Sequence, residues 1–555
     1  MLQKKSRLVR PNLRANIVLV LVVCFMVVAL NSRFWSIVLD TSGLGGLRGI
    51  GVIAAIGAAL FAITLLMLLP LSLRWTFKPG LTLALILAAG AAYFTSNYGA
   101  VIDRHALASV YETDAREAGE WINLRMLLSI GALGVLPATL LWWVKIDWQT
   151  PLRELFSRLK LAVVAMVLIG VAAAAFSKDI ASLVRNHREL RHIANPFALL
   201  VANLSYLDHA RDDNRPLEKI GEDAHRGIAL PATVRPVVLV LAIGESARAS
   251  SYASNGYGRA TDPQMRALGV VNFSNVRSCG TNTATSLPCM FTDLGRRKYE
   301  DGVAKYRENL LDVLMRGGYD AVWLDNNTGS KKLALRAREV FLGKTNDPQL
   351  CSAEGCFDEV LLTQLRKELP AVMRDTVFVI HLLGSHGPAY YARYPKPFAK
   401  FVPECRTNEL QQCSDVQLRN TYDNTIVYTD HILAGAAALL RDDPRIDPAM
   451  LYVSDHGESL GEHGLYLHGA PYAIAPDEQT HVAMQLWAPD RFNARRGLDL
   501  DCVRKQADAP LSHDNLFHSV LGLADVATAV RKPALDLFAA CAADSGNTVN
   551  AVPSP

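Results

Sequence analysis

VVLVLAIGE, residues Val237–Glu245, contains seven consecutive apolar residues followed by a glycine and a carboxylate. A continuous apolar run of this kind is typical of a strand that is buried on both faces of a parallel sheet. Three more such runs follow, separated by segments with helical periodicity. They are Ala321–Leu324, Val377–Leu383 and Leu451–Val453. This alternation predicts an α/β domain with a mostly parallel, doubly wound sheet.

Polar residues with catalytic potential follow each of these four runs. They are Glu245, Asp325-Asn326-Asn327, Ser385-His386 and Asp455-His456. Ligands of such sheets bind at the carboxyl ends of the strands, so we expect these side chains to share one site. Glu245, Asp455 and His456 offer two carboxylates and an imidazole, a donor set that suits Zn²⁺ with an open position. The sequence therefore predicts a metal site at this edge of the sheet.

A segment rich in hydroxyl groups, Ser278–Pro288 (SCGTNTATSLP), lies between the first two of these runs. It leads into a helix expected to begin near Leu287, with Pro288 in the first turn. A hydroxyl there would lie close to helix N–H groups that favour phosphate oxygens, and a metal-bound hydroxyl loses its proton more easily. The segment therefore predicts a nucleophile for phosphate chemistry, but residue chemistry alone leaves open which hydroxyl attacks.

The first third of the chain has a different composition. The 555 residues are 50% hydrophobic with a formal net charge of +4, which gives no support for nucleic-acid binding. Five apolar runs before residue 177 approach or reach the length of about 20 residues that spans a bilayer. They are Ala15–Leu30, Ile50–Leu73, Leu81–Phe94, Met126–Val144 and Leu159–Phe176. The third run is short unless it extends through Thr95–Ile102. Residues 1–176 are therefore predicted to form a five-helix transmembrane bundle.

The positions of charges and cysteines predict the orientation of this bundle. Lys and Arg concentrate at the N-terminus and in the second and fourth connections, which places the N-terminus in the cytoplasm and the chain after Phe176 outside. Eight of the nine cysteines follow Phe176, and no C-x-x-C motif occurs. Six of them form close pairs: Cys279 with Cys289, Cys351 with Cys356, and Cys405 with Cys413. Local disulfides in an oxidising compartment are expected, whereas a Cys502–Cys541 pair stays open.

The remaining boundaries follow from composition. Residues 177–230 are interpreted as a connector to a catalytic domain at 231–541, and residues 542–555 as a disordered tail. Within the connector, Lys178–Ala194 has the pattern of an amphipathic helix. The pattern is equally compatible with a helix on the membrane surface and with one that packs on the catalytic domain.

Four segments resemble the signature blocks of the lipid A phosphoethanolamine transferases, which include the mobilised colistin resistance enzymes. They are Gly244–Arg248 (GESAR), Ser278–Phe291 (SCGTNTATSLPCMF), His386–Tyr390 (HGPAY) and Ser454–Glu462 (SDHGESLGE). The catalytic domain of that family belongs to the alkaline phosphatase and sulfatase superfamily. The likeness extends over nearly the whole chain, including the five spans and the connector.

The resemblance implies a role for individual residues. Thr283 matches the nucleophile of the family, and Glu245, Thr283, Asp455 and His456 match its zinc ligands. His386 and His468 match a histidine pair assigned to the substrate phosphate or to a second zinc, and Asn327 and Lys331 match residues assigned to the phosphoethanolamine group. The three close cysteine pairs match the disulfides of the family.

The chain departs from the family pattern at a few positions near these blocks. Asn282 and Thr285 flank the matched nucleophile, where the family varies, and neither change removes a catalytic group. His463 replaces a residue that is usually asparagine. We expect His463 to be a solvent-facing replacement rather than a further metal ligand.

The implied activity is a double displacement that needs Zn²⁺. Phosphatidylethanolamine donates phosphoethanolamine to Thr283, which passes it to a phosphate of lipid A; the product lowers surface negative charge and favours polymyxin resistance. The resemblance implies a monomer in the bacterial inner membrane with a periplasmic catalytic domain. Alternative acceptors are Kdo or heptose of the lipopolysaccharide core, and a glycerol phosphate transferase is more distant. An inactive membrane sensor is disfavoured because all four matched zinc ligands are present.

Overall fold

The computed structural model describes residues 10–41, 47–112, 115–187, 189–210, 216–227, 235–343, 345, 347–352 and 355–542. The predicted disordered tail lies outside these residues except for Ala542, as do the basic residues before Arg10. The chain forms two compact units. One comprises residues 1–107 and 122–207 and is called the membrane unit after the role predicted from the sequence. The other comprises residues 108–121 and 208–555 and is called the catalytic unit for the same reason.

The membrane unit is helical. Among the residues that the structure describes, four helices are long and apolar enough to cross a bilayer, and a bent pair of helices would make five if the pair is one span. The four are Leu47–Leu71, Phe77–Tyr98, Leu124–Trp143 and Pro151–Ala181, and the bent pair is Ala15–Ala29 with Ser32–Asp40. The prediction of several apolar N-terminal helices is therefore confirmed.

The third predicted span, whose apolar run is short, is extended by helix at both ends. The helix begins at Phe77, four residues before the apolar run, because Lys78 and Pro79 are tolerated in a first turn where backbone N–H groups have no helical partner. It ends at Tyr98, where Gly99 adopts the left-handed conformation (φ 69°) that terminates many helices. The helix has 22 residues and is long enough for a span.

The bend in the first helix pair is stabilised by two asparagines. The Asn31 side chain donates to the carbonyls of Met26 (2.9 Å) and Asn195 (2.8 Å). The Asn195 side chain donates to the carbonyls of Leu30 (3.3 Å) and Ala88 (2.6 Å). These bonds join the bend to Ala88 and Asn195, and the bond to Leu30 gives a partner to a carbonyl at the break of the helix, where an unsatisfied carbonyl is costly in an apolar environment.

The connector continues the last span. The helix Pro151–Asn186 has one non-helical residue, Phe176, at the end of its apolar part. The amphipathic helix predicted over Lys178–Ala194 is therefore the end of this long helix, followed by the short helix Leu190–Ile193. A further helix, Phe197–Ala210, completes the sequence of helices before the catalytic unit.

The catalytic unit contains an eight-stranded sheet. In chain order its strands are β1 (Val237–Gly244), β2 (Val271–Arg277), β3 (Asp320–Asp325), β4 (Arg338–Phe341), β5 (Thr376–His381), β6 (Asp447–Ser454), β7 (His481–Trp487) and β8 (Leu511–Ser512). Their order across the sheet is β8-β2-β7-β6-β1-β5-β3-β4. Only β7 runs against its neighbours, β6 and β2. The predicted mostly parallel sheet is therefore confirmed.

Helices separate most of these strands. The described helices of this unit after residue 235 are Pro263–Ala267, Thr283–Met290, Asp301–Ala304, Leu310–Arg316, Glu359–Glu368, Asp415–Arg441, Asp477–Thr480, Asp490–Arg496, Leu500–Gln506 and Leu516–Leu523. The longest begins after Ser414, whose hydroxyl accepts from Gln417 N–H while the Gln417 side chain accepts from Ser414 N–H. The core of the unit lies on the sheet, where the side chains of β1, β5 and β6 are buried.

Four disulfides stabilise the loops of the catalytic unit. The three predicted local bridges, Cys279–Cys289, Cys351–Cys356 and Cys405–Cys413, are present. The pair that the sequence left open, Cys502–Cys541, is also bridged. Disulfides at four places in one unit are typical of a protein that folds in an oxidising compartment.

Candidate active site

The adjacent strands β6, β1, β5 and β3 end at the same level of the sheet. Ser454 pairs with Gly244, Ile243 with His381, and His381 with Asp325. The residues that follow β1 and β6 are Glu245 and Asp455-His456, and all three side chains are fully buried. The parallel register therefore brings the predicted metal ligands together, although they are about 200 residues apart.

Polar atoms of four side chains form a tight cluster at this edge. The Thr283 hydroxyl donates to Glu245 Oε2 (2.8 Å) and lies 3.3 Å from His456 Nε2. His456 Nε2 is 3.2 Å from Glu245 Oε1 and 3.4 Å from Asp455 Oδ2. Tetrahedral zinc ligands at their usual bond lengths lie about 3.3 Å from one another. The spacing of these four side chains therefore fits a tetrahedral metal site.

Thr283 is placed by the helix that it begins. Thr283 is the first residue of Thr283–Met290, and the Asn282 side chain caps this helix by accepting from Thr285 N–H (2.9 Å). The helix thus begins four residues before the predicted start at Leu287. The Thr283 hydroxyl faces Glu245 at the positive end of the helix, where N–H groups and the helix dipole favour phosphate oxygens.

The cluster contains two buried carboxylates beside one imidazole, and the pKa values of the three groups show how strongly they interact. Burial opposes the charged form of His456, but Asp455 and Glu245 outweigh it and raise its pKa to about 10. Burial and the neighbouring Glu245 raise the pKa of Asp455 to about 6. Burial opposes the ionised form of Glu245, but the neighbouring His456 outweighs burial and holds the pKa of Glu245 well below its usual range. Without a cation, the protonated His456 is therefore the main counter-charge for two buried carboxylates; a bound cation would take over this role, because a ligating imidazole is neutral.

A divalent cation fits this arrangement. Asp455 Oδ2 is buried and accepts no hydrogen bond from the described residues, which is costly for a carboxylate oxygen. The other oxygen, Oδ1, accepts from the backbone N–H of Ser246 (3.2 Å) and of His456 (2.7 Å). These two bonds orient the carboxylate so that Oδ2 faces the cluster. The two carboxylates would neutralise a divalent cation, and the cation would offset the cost of burying the carboxylates. The hydroxyl and the imidazole would complete its set of ligands.

The second histidine pair lies beside this cluster. The rings of His456 and His468 are 4.3 Å apart, and those of His386 and His468 are 6.1 Å apart. Glu245, His456 and His468 each offer a ligand atom within 4.8 Å of the others. We favour Thr283 and Asp455 over His468 as ligands with Glu245 and His456, because His468 Nδ1 already bonds to Glu458 (2.7 Å).

Asn327 and Lys331 have different surroundings in the loop after β3. Asn327 is buried and donates to Glu245 Oε2 (3.0 Å) and to the Leu382 carbonyl (3.0 Å). It therefore holds the Glu245 carboxylate in place. Lys331 is only partly buried and has a left-handed backbone (φ 49°).

Three buried residues support the site through bonds that the sequence did not predict, although Asp325 was itself expected to lie at the site. Asp358 accepts from the N–H groups of Leu383 and Gly384 and fixes the loop that carries His386. Asp325 bonds to His381 (2.7 Å) and holds the Asn327 loop through the N–H of Asn327 (2.9 Å). Sequence signals for these roles are weak, since the bonds of Asp358 to the His386 loop and of Asp325 to His381 join segments that are far apart in the chain.

The third of these residues, His513, joins two parts of the site. Its Nδ1 accepts from Cys279 N–H (3.1 Å), in the loop before the nucleophile. Its Nε2 therefore carries the proton and donates to the carbonyl of Ser454 (3.0 Å), the last residue of β6. Burial lowers the pKa of His513 to about 3. The neutral imidazole thus fixes the loop before Thr283 relative to the end of β6.

Acidification should destabilise the catalytic unit through His513. Its pKa is about 3 when folded and 6.5 when unfolded, so the unfolded chain binds more protons between these values and stability falls as pH falls below 6.5. At pH 5 this group alone should cost about 2 kcal/mol. We expect His513→Gln to be less stable at pH 7 but to lose less melting temperature between pH 7 and pH 5 than the wild type. Equal losses in both proteins would contradict this role.

The departure at His463 has a backbone explanation. His463 is exposed and adopts the left-handed conformation (φ 54°). Asparagine and histidine are among the non-glycine residues that tolerate this conformation best. Either residue therefore suits the backbone of the turn at this position. The exposure of His463 agrees with the solvent-facing position that we expected from the sequence.

Comparison with known proteins identifies the family. Residues 237–526 match the sulfatase family, and residues 60–211 match the family described as phosphoethanolamine transferase EptA/EptB. The chain is 40% identical to phosphoethanolamine transferase EptA of Escherichia coli K12 over 97% of this chain and 99% of that protein. It is 37% identical to phosphatidylethanolamine transferase Mcr-1 of Escherichia coli, over 95% and 98% of the two chains.

A solved structure agrees over the same extent. The integral membrane protein lipooligosaccharide phosphoethanolamine transferase A of Neisseria meningitidis superposes with a TM-score of 0.93 at 34% identity, covering 96% of this chain and all of that one. Both the membrane unit and the catalytic unit are therefore shared with these relatives. The protein belongs to the EptA/Mcr family of phosphoethanolamine transferases.

Proposed function

We propose that the protein transfers phosphoethanolamine from phosphatidylethanolamine to a phosphate of lipid A through a phosphorylated Thr283. The observation that carries this proposal is the Thr283 hydroxyl, which starts a helix and contacts both Glu245 and His456. A nucleophile at a helix N-terminus within a metal-ligand cluster suits attack on a phosphodiester. Membership in a family of phosphoethanolamine transferases supports phosphoethanolamine as the group that is transferred.

Glu245, Thr283, Asp455 and His456 are the residues that would hold Zn²⁺. When bound, the ion would supply Lewis acidity and lower the pKa of the Thr283 hydroxyl. The surrounding chain fixes the donors, because Asn327 holds Glu245 and two backbone N–H groups hold Asp455. This leaves little rearrangement to accompany the reaction.

The first half-reaction forms the covalent intermediate. Thr283 Oγ attacks phosphorus and gives up its proton, and Glu245 lies within hydrogen-bonding distance (2.8 Å) to accept it. As the bond from oxygen to phosphorus forms, the bond to diacylglycerol breaks. His386 and His468 lie beside the cluster and would donate a proton to the leaving oxygen.

The second half-reaction reverses these roles. An oxygen of the acceptor phosphate attacks the phosphoethanolamine group on Thr283, and the bond between Thr283 and phosphorus breaks. Thr283 recovers its proton, and its hydroxyl returns to Glu245. Because the same histidines serve both steps, their loss should slow both half-reactions.

The setting of the enzyme follows from the same proposal. Donor and acceptor are both lipids, so spans that keep the enzyme in the membrane serve the chemistry directly. We propose a monomer with five spans in the bacterial inner membrane, a cytoplasmic N-terminus, and a periplasmic catalytic domain with a doubly wound sheet. The disulfides support the oxidising compartment. Added phosphoethanolamine would reduce surface negative charge and favour polymyxin resistance.

Mass spectrometry of lipid A tests the proposed function. Cells that express the protein should gain one phosphoethanolamine on a lipid A phosphate, and cells with an empty vector should not. Fragment ions locate the group. Its appearance on Kdo or heptose would identify the core as acceptor instead, and no added group in any fragment would contradict transferase activity.

The second histidine pair makes a separable prediction. We expect His386→Ala and His468→Ala to keep one tightly bound zinc but to lose most transfer activity, since proton delivery or phosphate positioning is lost while the four ligands remain. Elemental analysis and the rates of diacylglycerol release and acceptor modification check this. Loss of the tight zinc in His468→Ala would make His468 a ligand, and unchanged rates in both variants would remove the pair from the mechanism.

A further inference from the structure

A segment of the chain that lies between two apolar helices in sequence belongs to the catalytic unit. Residues 108–121 cluster with residues 208–555, whereas their neighbours on both sides belong to the membrane unit. The segment ends in the helix Ala115–Trp121. Two of its bonds reach the catalytic unit through Glu120. The Glu120 carbonyl accepts from the Asn408 side chain (2.7 Å), and its carboxylate pairs with Arg393.

The ion pair between Glu120 and Arg393 is buried. The side chain of Arg393 is 1% exposed and that of Glu120 is 7% exposed. A guanidinium that is removed from water needs a carboxylate and further acceptors to offset its desolvation. One of those acceptors is in the active site, because Arg393 Nε donates to the carbonyl of His386 (2.7 Å).

The loop around His386 is otherwise held from one side. Asp358 accepts from the N–H groups of Leu383 and Gly384, and the Glu245 carbonyl accepts from Ser385 N–H (3.0 Å). Asp358 and Glu245 thus fix the residues before His386. Arg393 follows this loop in the chain, and its Nε–H bond to the His386 carbonyl holds the loop from the other side. The direction in which His386 presents its ring therefore depends on Arg393 as well as on Asp358 and Glu245.

We infer that Glu120 is a positioning residue for the transfer reaction, acting through Arg393 on His386. This inference rests on the proposed function, because it requires His386 to act on substrate. Glu120 holds the guanidinium in the orientation in which Nε meets the His386 carbonyl. The histidine is then presented toward His468 and the metal-ligand cluster. Without the carboxylate, the buried guanidinium turns to water or to another acceptor and releases the carbonyl.

Two substitutions separate orientation from charge. Glu120→Gln keeps the shape of the side chain but removes the counter-charge of Arg393. Arg393→Lys keeps a cation for Glu120, but a single ammonium lacks the planar fork that serves the carboxylate and the His386 carbonyl together. Both variants should lower kcat about tenfold with a KM for phosphatidylethanolamine within about twofold of the wild type, because a small misplacement of a catalytic group is costly in rate.

A matched ion pair away from the site provides the control. Glu308 pairs with Arg316 (2.9 Å), and Arg316 also donates to a backbone carbonyl, that of Ile220 (2.7 Å). Glu308→Gln therefore removes the same kind of charge from the same kind of three-group arrangement. We expect a lowered melting temperature comparable with that of Glu120→Gln, but an unchanged kcat.

A double-mutant cycle in the full-length, zinc-loaded protein in detergent tests the inference. Glu120→Gln should lower kcat for diacylglycerol release about tenfold in the wild type but less than about twofold in His386→Ala, because its effect passes through His386. Equal losses in both backgrounds, or a change in KM alone, would overturn the inference while leaving the transferase intact. If the wild type released no diacylglycerol, or released it independently of Thr283, the proposed function itself would fail.

Discussion

Replacing Thr283 with alanine should lower phosphoethanolamine transfer at least about a thousandfold, because the reaction loses the atom that forms the covalent bond. The fold should survive. The substitution removes one hydroxyl at the first residue of a helix whose cap, Asn282, is unchanged. Lipid A mass spectrometry and the rate of diacylglycerol release measure the activity, and the melting temperature measures the fold.

Two neighbouring variants sharpen this test. Thr283→Ser keeps a hydroxyl at the same position and should retain measurable transfer. Thr281→Ala removes a hydroxyl two residues away that donates to the Ala470 carbonyl (2.6 Å), so its effect should be much smaller and should appear in stability. Transfer by Thr283→Ala at near wild-type rate would show that another group is the nucleophile.

Replacing a carboxylate of the cluster should have the second-largest effect. We expect Glu245→Ala and Asp455→Ala to lower transfer more than about a hundredfold and to reduce bound zinc well below one ion per chain, because each removes a ligand. Asp455→Asn should behave similarly, although it keeps the shape of the side chain.

Zinc binding provides a readout that does not depend on activity. Zinc added to chelated wild type should raise its melting temperature, since an ion that binds only the folded state stabilises it. The three carboxylate variants should show little or no increase. A full thermal response in Asp455→Ala, together with full activity after chelation, would exclude the proposed metal site.

The sequence predicted the fold where burial leaves a continuous pattern. Strands β1, β3, β5 and β6 were found because their apolar runs are buried on both faces. Strand β2 (VNFSNVR) was missed because polar residues alternate along it. Strand β7 was missed because Gln485 interrupts its apolar run, and this glutamine is buried only because it bonds to Asp262 and other residues far away in the chain.

The residues of the site could be predicted from the sequence only where they follow such a buried strand. Glu245, Asp455 and His456 follow apolar strands directly, so the register of a parallel sheet brings them together without further knowledge. His513 and Glu120 could not be found in this way. His513 lies 234 residues from Cys279 and Glu120 lies 273 residues from Arg393, and each acts through backbone groups that any residue offers. Such roles depend on tertiary contacts that leave no local pattern.

Direct detection of the covalent intermediate is the most decisive measurement for this enzyme. The full-length, zinc-loaded protein would be incubated with phosphatidylethanolamine in the absence of lipid A, digested after reduction of its disulfides, and sequenced by tandem mass spectrometry. We expect phosphoethanolamine on Thr283, and its disappearance when lipid A is added. Release of diacylglycerol with no group on Thr283, or with the group on Thr281, Thr285 or Ser286, would contradict the proposed mechanism.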